Sequence, residues 1–161
     1  MSAAPVPPAI RRATEADLPA LEALAEAFEA HLNAIDPANP TTVPPERRAA
    51  VLRFALGPWP CRAVLLAGAG DAPLGFLAFQ EIVWMDDGAP ALWVSDLYVA
   101  PDARGRGAGA ALMAAAQAEA RARGGARVVF TVWRENAPAR AFYARLGARE
   151  VGDELLMSLG V

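Results

Sequence analysis

Apolar residues recur every three to four positions between Leu18 and Phe28, where Leu18, Leu21, Leu24, Ala25 and Phe28 make one stripe. That spacing is the mark of an amphipathic helix. Thr14 stands before it as an N-cap, with Glu15 and Asp17 at the positive end of the helix dipole, so the helix reads from Thr14 to about Ala30. Asn33 to Pro45 carries four prolines and reads as an ordered loop, followed by a second helix over Glu46–Leu56. Shorter apolar runs bounded by Gly, Pro and Asp read as strands: Ala9 to Ala13, Cys61 to Ala67, Leu74 to Met85 and Ala91 to Val99. Gly68 to Pro73 and Asp86 to Pro90 are the turns between the last three, which form an antiparallel meander.

Beyond Gly109 an Ala-rich segment with Leu112, Met113, Ala116 and Ala120 reads as a strong helix closed by Gly124-Gly125. Arg127 to Trp133 is the next strand. Asn136 and Pro138 open a further helix that stops at Gly147, and Glu150 to Leu159 supplies one or two final strands. The order is β-αα-βββ-α-β-α-β(β), an α/β (α+β) arrangement without internal repeat or linker. With 161 residues the chain reads as a single domain, residues 1–161, with Met1 to Pro8 as a loose tail.

Composition narrows the chemistry. At 55% hydrophobic and 20% charged residues the chain is too apolar for disorder. A net charge of -3 argues against a nucleic-acid partner, whose binding needs a basic face. All 15 basic residues are Arg, which excludes a Schiff-base lysine and the lysine of P-loop enzymes. No stretch approaches the ~20 apolar residues that span a bilayer, so no membrane partner is expected. One cysteine, Cys61, and no leader-like opening point to the cytoplasm; Cys61 itself reads as inert packing.

The most informative segment is Leu92-Trp-Val-Ser-Asp-Leu-Tyr-Val-Ala-Pro-Asp-Ala-Arg-Gly-Arg-Gly-Ala-Gly109, a strand running through a Gly-rich turn into a helix. Such a turn exposes backbone N–H groups beside the positive end of a helix dipole. Gly105, Gly107 and Gly109 let the backbone approach two linked phosphates, and Arg104 and Arg106 add charge. A flexible loop or plain helix cap is the competing reading. A dinucleotide fingerprint is disfavoured, because the turn follows a meander and no acidic residue ends a second strand about 20 residues on.

On these residues the sequence resembles the GNAT superfamily of N-acetyltransferases. Arg104-x-x-Gly107-x-Gly109, after a strand ending in Val99-Ala-Pro, is similar to that family's cofactor turn. Asn136-Ala-Pro-Ala-Arg-Ala-Phe-Tyr143-Ala-Arg-Leu-Gly147-Ala is similar to its second block. Within the family the two blocks look most like diamine and polyamine N-acetyltransferases, although those enzymes carry Glu where this chain has Ser95 before Asp96. The resemblance implies a GNAT-like mixed sheet. Two parallel strands, the one ending at Val99 and the one over Arg127 to Trp133, splay apart around acetyl-CoA. It also implies acetyl transfer to a small-molecule amine, with CoA as product, no metal, and a homodimer.

The resemblance carries site roles as well. Leu97, Tyr98, Val99, Arg104 to Ala110 (Gly105, Arg106, Gly107, Ala108 and Gly109 between them), Asn136, Ala139 and Tyr143 would contact the cofactor. The Leu97 and Val99 amides would polarise the thioester carbonyl. An alkyl ammonium titrates at about 10, so a base or water relay must free the amine, and an acid must protonate the departing thiolate. Tyr143 is the acid by family position, against the alternative of an aromatic packed beside Phe142. Asp96 is the base, a relay member or a structural carboxylate, and Glu81 is the second candidate if it faces the cleft across from Asp96. His31, Ser95, Asp96 and Trp133 are the acceptor-site candidates. His31 otherwise reads as a residue at the end of the first helix, where protonation favours the dipole. Trp84 and Trp93 read as a cross-strand pair or a dimer contact, and Glu135 as a cap or a solvated residue. The competing reading from another class is a non-catalytic acyl-CoA-binding module; a protein N-terminal or lysine acetyltransferase is the enzymatic alternative.

Overall fold

The computed structural model describes residues 8–58, 62–69, 72–152 and 157. The chain forms two compact units, one running to Thr131 and a second from Val132 onward. The first holds β1 (Ile10–Arg12), a 3-10 turn (Glu15–Asp17), α1 (Leu18–Ile35), α2 (Pro45–Leu56), β2 (Arg62–Ala69), β3 (Ala72–Trp84) and β4 (Ala89–Val99). It continues through a 3-10 turn at Pro101–Ala103 into α3 (Ala108–Ala122) and β5 (Arg127–Phe130). The second unit contains α4 (Ala137–Arg145). The expected α/β order is thus observed. The final strands expected over Glu150 to Leu159 fall largely outside the described residues, and Glu150 to Gly152 form no strand. Cys61 also lies outside them, as does the tail up to residue 7.

The sheet has the order β1-β2-β3-β4-β5. The first four strands pair antiparallel, and β5 joins β4 in parallel. Because side chains alternate across a sheet, directly paired residues share a face. Leu66, Phe76 and Tyr98 are in register and pack with Leu21 and Leu24 of α1 and Leu52 of α2. Leu65 and Leu77 therefore face the opposite way, the side on which α3 lies with buried Leu112, Met113, Ala116 and Ala120. Each of the buried leucines contributes roughly 1.5–3 kcal/mol by leaving water. On the α3 face an ion-pair chain ties three elements together: Arg12 of β1 to Glu119 of α3 at 2.6 Å, Glu119 to Arg123 at 3.4 Å, and Arg123 to Glu81 of β3 at 3.0 Å. Burial would raise the Glu119 carboxyl, but its hydrogen bonds from Arg12 and Arg123 outweigh that and hold it below the usual carboxylate range.

Three expectations need correction. The first helix does not stop near Ala30; it runs five residues further and ends at Asp36, which leaves the helical region (φ -123°, ψ 78°). Pro37 follows, and a residue before proline is forced out of the α region. Secondly, β5 stops at Phe130 rather than Trp133, its last partner being Val94. Beyond Val94 comes a bulge in β4: Asp96 pairs with Ala78 and Val94 with Phe79, leaving Ser95 extra. A bulge bends and twists its strand, so β4 turns away where β5 ends. Thirdly, Trp84 and Trp93 do not pair, because Trp84 lies opposite Ala89 and Trp93 opposite Gln80. Trp84 instead carries the Arg127 guanidinium at 5.4 Å from its ring, with Arg127 also bound to Asp87.

Gly75 sets the approach of β3 to the free part of β4. It pairs with Val99, and a Cβ there would press on the Tyr98 carbonyl oxygen and stand 3.0 Å from the Val99 Cα. Gly75→Ala is expected to lower unfolding stability by about 1–3 kcal/mol, read from urea denaturation. An unchanged denaturation midpoint would contradict this account of the strand spacing.

Candidate active site

β4 runs five residues past its last pairing with β5, from Ser95 to Val99. Backbone groups alternate in direction along a strand. Ala100 donates its amide to the Leu74 carbonyl at 2.9 Å, which turns the Tyr98 amide toward β3 as well. Leu97 and Val99 consequently point their backbone groups away from β3, to the side that β5 has vacated. Consistent with this, the Val99 carbonyl accepts from Arg104 Nε at 2.9 Å. Tyr98, grouped by sequence with the cofactor contacts, differs from both neighbours: its backbone faces β3, and its ring is 4% exposed within the α1 and α2 side of the core.

After β4, the Pro101–Ala103 turn brings the chain round to α3, with Ala103 and Ala108 buried as anchors. Between them Arg104, Gly105, Arg106 and Gly107 are all exposed. Gly105 (φ 74°) and Gly107 (φ 86°) occupy the left-handed region, and a Cβ at either would meet nothing within 4 Å. Gly107 is the N-cap of α3 and leaves that end without a side-chain cap. Among the described residues the first helical amide to reach a carbonyl is that of Ala111, bonded to Gly107 at 2.9 Å. The amides of Ala108, Gly109 and Ala110 thus stand at an open, positively polarised helix end. Gly109 lies in the first turn of α3, is not among the glycines with positive φ, and contributes through its amide and its lack of a side chain. Donors, arginine charge and unfilled space together suit a diphosphate.

The carboxylates separate. Asp96 pairs with Ala78 and shares the α1 side of the sheet with Tyr98. Burial raises its carboxyl above the ordinary range, with a Ser95 hydrogen bond opposing. Ser95 is exposed, sits on the bulge, and has its hydroxyl 3.4 Å from the Ala78 carbonyl oxygen. Glu81 does not face Asp96. It points to the α3 side, where Arg123 holds it at 3.0 Å, so the expectation that it lies across the cleft from Asp96 is overturned by strand alternation. His31 lies within α1 rather than at its end, its ring 6.2 Å from that of Tyr98. Burial, and then the Arg104 cation, lower its pKa, the reverse of the dipole effect expected at a helix end.

Sequence reasoning missed what orders the loop before α2. Asn33 clamps Thr41 by two hydrogen bonds of 2.7 and 2.8 Å, and Glu29 accepts from the Val43 amide at 3.2 Å and from Arg48 at 3.0 Å. Asn33 and Glu29 are four residues apart on α1, the spacing of one helical face, which was the available signal.

In the second unit Asn136 caps α4, its Oδ1 accepting from the Ala139 amide at 3.1 Å. Trp133 is 42% exposed, lies outside any strand, and accepts at its carbonyl from the Asn136 amide at 3.0 Å. Glu135 is exposed. Tyr143 sits on α4 with its ring 5.0 Å from Phe142, and burial raises its hydroxyl above the ordinary value. Gly147 (φ 84°) ends the helix as expected.

A family model for acetyltransferases of the GNAT family matches residues 22–148. The chain belongs to the GNAT family of acetyltransferases. Among solved structures, one described as a probable acetyltransferase is 22% identical, with TM-score 0.80 over 95% of this chain and 97% of that one. An aminoglycoside acetyltransferase from an uncultured soil metagenomic sample, in complex with sisomicin, is 21% identical, with TM-score 0.73 over 94% and 96%. A ribosomal-protein-alanine N-acetyltransferase from Brucella melitensis biovar Abortus 2308 is 19% identical, with TM-score 0.75 over 94% and 99%. No curated protein matches the sequence. At these identities the structures share the GNAT fold with this chain. No helix among the described residues is long and apolar enough to cross a membrane.

In this GNAT protein, Gly107→Ala isolates the turn. A side chain at φ 86° costs about 1–2 kcal/mol of strain, while the space around it is open. Stability should fall by that amount in thermal unfolding, and affinity for CoA, measured by calorimetry, should fall by more than tenfold if a ligand approaches the backbone there. Full CoA affinity in Gly107→Ala would count against the turn as a cradle.

Proposed function

We propose that this chain transfers an acetyl group from acetyl-CoA to the primary amine of a small molecule, a diamine, polyamine or amino-acid-like compound, within one acetyltransferase domain. The observation that carries the reading is the adjacency of two features: the Leu97 to Val99 edge of β4, which β5 does not pair among the described residues, and the open N-terminal end of α3, with Arg104 between them. When bound, acetyl-CoA supplies the activated acetyl group as a thioester. Arg104, Arg106 and the amides from Gly105 to Ala110 hold its diphosphate. Leu97 and Val99 direct their amides to the thioester side, where a donor is worth most as negative charge develops on the carbonyl oxygen.

Asp96 takes the proton that the acceptor ammonium must lose, directly or through water, and its raised pKa brings it closer to the strength a base needs. The amine nitrogen bonds to the acetyl carbon as the carbon–sulfur bond breaks, and its second proton leaves for solvent or for the tyrosinate left once Tyr143 has given up its own. Tyr143 returns a proton to the departing sulfur; its raised pKa keeps the hydroxyl protonated at neutral pH. Asn136 and Ala139 at the start of α4 are assigned to the cofactor by their motif, and Ser95, His31 and Trp133 to the acceptor. The excess of acidic over basic residues, 18 against 15, favours a cationic acceptor. A homodimer in the cytoplasm belongs to the same reading. The named activity of one structural neighbour, on a ribosomal protein, keeps a protein amine as the second reading.

Thiol release from acetyl-CoA with a panel of diamines, polyamines, amino acids and peptides tests the proposal. Small amines should release thiol well above background, and Tyr143→Phe should lower kcat by about 100-fold. CoA binding without thiol release for any amine would favour a non-catalytic acyl-CoA module. The rate should fall as pH drops through the Asp96 pKa, above the ordinary carboxylate range, because only the ionised form accepts a proton. Asp96→Asn should remove that acid limb and lower kcat by about 100-fold or more, so a retained limb would assign the base elsewhere.

A further inference from the structure

His31 is the one histidine in the chain. It stands on α1 with its imidazole 6.2 Å from the Tyr98 ring, and the same ring has the Arg104 guanidinium carbon 5.8 Å from its centre. Tyr98 is 4% exposed and packed against Phe28 and Phe76, so the ring that both basic groups approach is held in place. Arg104 is fixed in turn by its 2.9 Å bond to the Val99 carbonyl. A residue of α1 and the first residue of the phosphate turn thus converge on one immobile side chain.

We propose that His31 is a proton-binding site coupled to the phosphate turn: a diphosphate arriving at Arg104 makes His31 bind a proton more tightly, and a protonated His31 in turn holds that ligand more tightly. The proposal rests on the cofactor site assigned above. In the free protein His31 is held below its ordinary pKa, first by burial and then by the Arg104 cation. Of the titratable groups on this side, Tyr98 is in ring contact with it, Asp96 lies on the same face of β4 as Tyr98, and Arg48, where α2 meets α1, is engaged by Glu29 and Glu26. Among the described residues Arg104 is the charge that acts on the imidazole through space.

Phosphate oxygens beside Arg104 offset that positive charge, which removes part of the penalty on imidazolium. By linkage the effect is reciprocal. Only an N–H bond on the imidazole forms, with the proton drawn from solvent or from the acceptor ammonium. His31 shares the α1 side of the sheet with Asp96, so cofactor binding strengthens a proton acceptor on the side assigned to the amine.

The sole imidazole makes the test direct. Proton NMR titration of the full chain without a histidine tag follows His31 in the free protein and with saturating CoA, occupancy being measured by calorimetry in the same buffers. The His31 pKa should rise by about half a pH unit with CoA. CoA should bind about threefold more tightly below the two His31 pKa values than above them. Arg104→Gln in the free protein should raise the pKa without any ligand. A titration that stays put while CoA occupies the protein overturns the coupling and leaves the cofactor site intact. A rise with CoA but none with Arg104→Gln overturns the route through Arg104. Failure of CoA to bind overturns both this proposal and the function on which it rests.

Discussion

The constraint on which the site depends is the premature end of one parallel pairing. β4 and β5 stay bonded only as far as Val94 and Phe130, yet β4 continues to Val99. Backbone donors inside a protein demand partners, and β4 leaves those of Leu97 and Val99 on the side where β5 is gone. The bulge at Ser95 sits at the point of divergence, which gives the separation a local cause. Two features of the first unit bear on that edge: Gly75 brings β3 close behind it, and Arg104 bonds its last carbonyl.

The two faces of the sheet divide the work. On the α3 face, charge is spent on structure, with Arg12, Glu119, Arg123 and Glu81 linked in one chain. On the α1 face the charged and titratable groups near β4 are fewer and less committed: Asp96 with a pKa raised by burial and His31 with a pKa lowered by burial. Both shifts favour the neutral form, as expected where desolvation outweighs local partners. Perturbed groups of this kind gather where chemistry is done, although burial alone also produces them.

At the Arg104 to Gly109 turn, glycine positions and the helix end act together. Gly105 and Gly107 adopt conformations that other residues resist, and the buried Ala103 and Ala108 on either side hold the exposed backbone between them. The helix end that follows has no side-chain cap. An uncapped, solvent-facing helix N-terminus leaves amide donors unsatisfied by the protein, the condition under which an anion binds best. The GNAT family relationship and this local geometry support one another, the first through the motif and the second through donors and space.

Local signals were legible in the sequence where they act over a few residues: the amphipathic stripe of α1, the glycine stop after α3, the Asn136 cap of α4, and the Arg104 to Gly109 turn. Periodicity and capping depend on neighbours in the chain, so the chain alone determines them. The faces of β3 and β4 were not legible, because nearly continuous apolar runs hide the alternation, and only register with partners placed Glu81 opposite to Asp96. The end of β5 was likewise decided by its pairing with β4, a distant segment of the chain, and the bulge at Ser95 by the pairing of β4 with β3. His31 changed meaning as well: α1 runs past it to Ile35, and its place beside the Tyr98 ring, with burial first and the Arg104 cation second, lowers its pKa. Motif spacing determined the family to which the chain belongs, while tertiary contacts decided which of its candidate side chains share a face, since facing is a property of register and burial between distant segments.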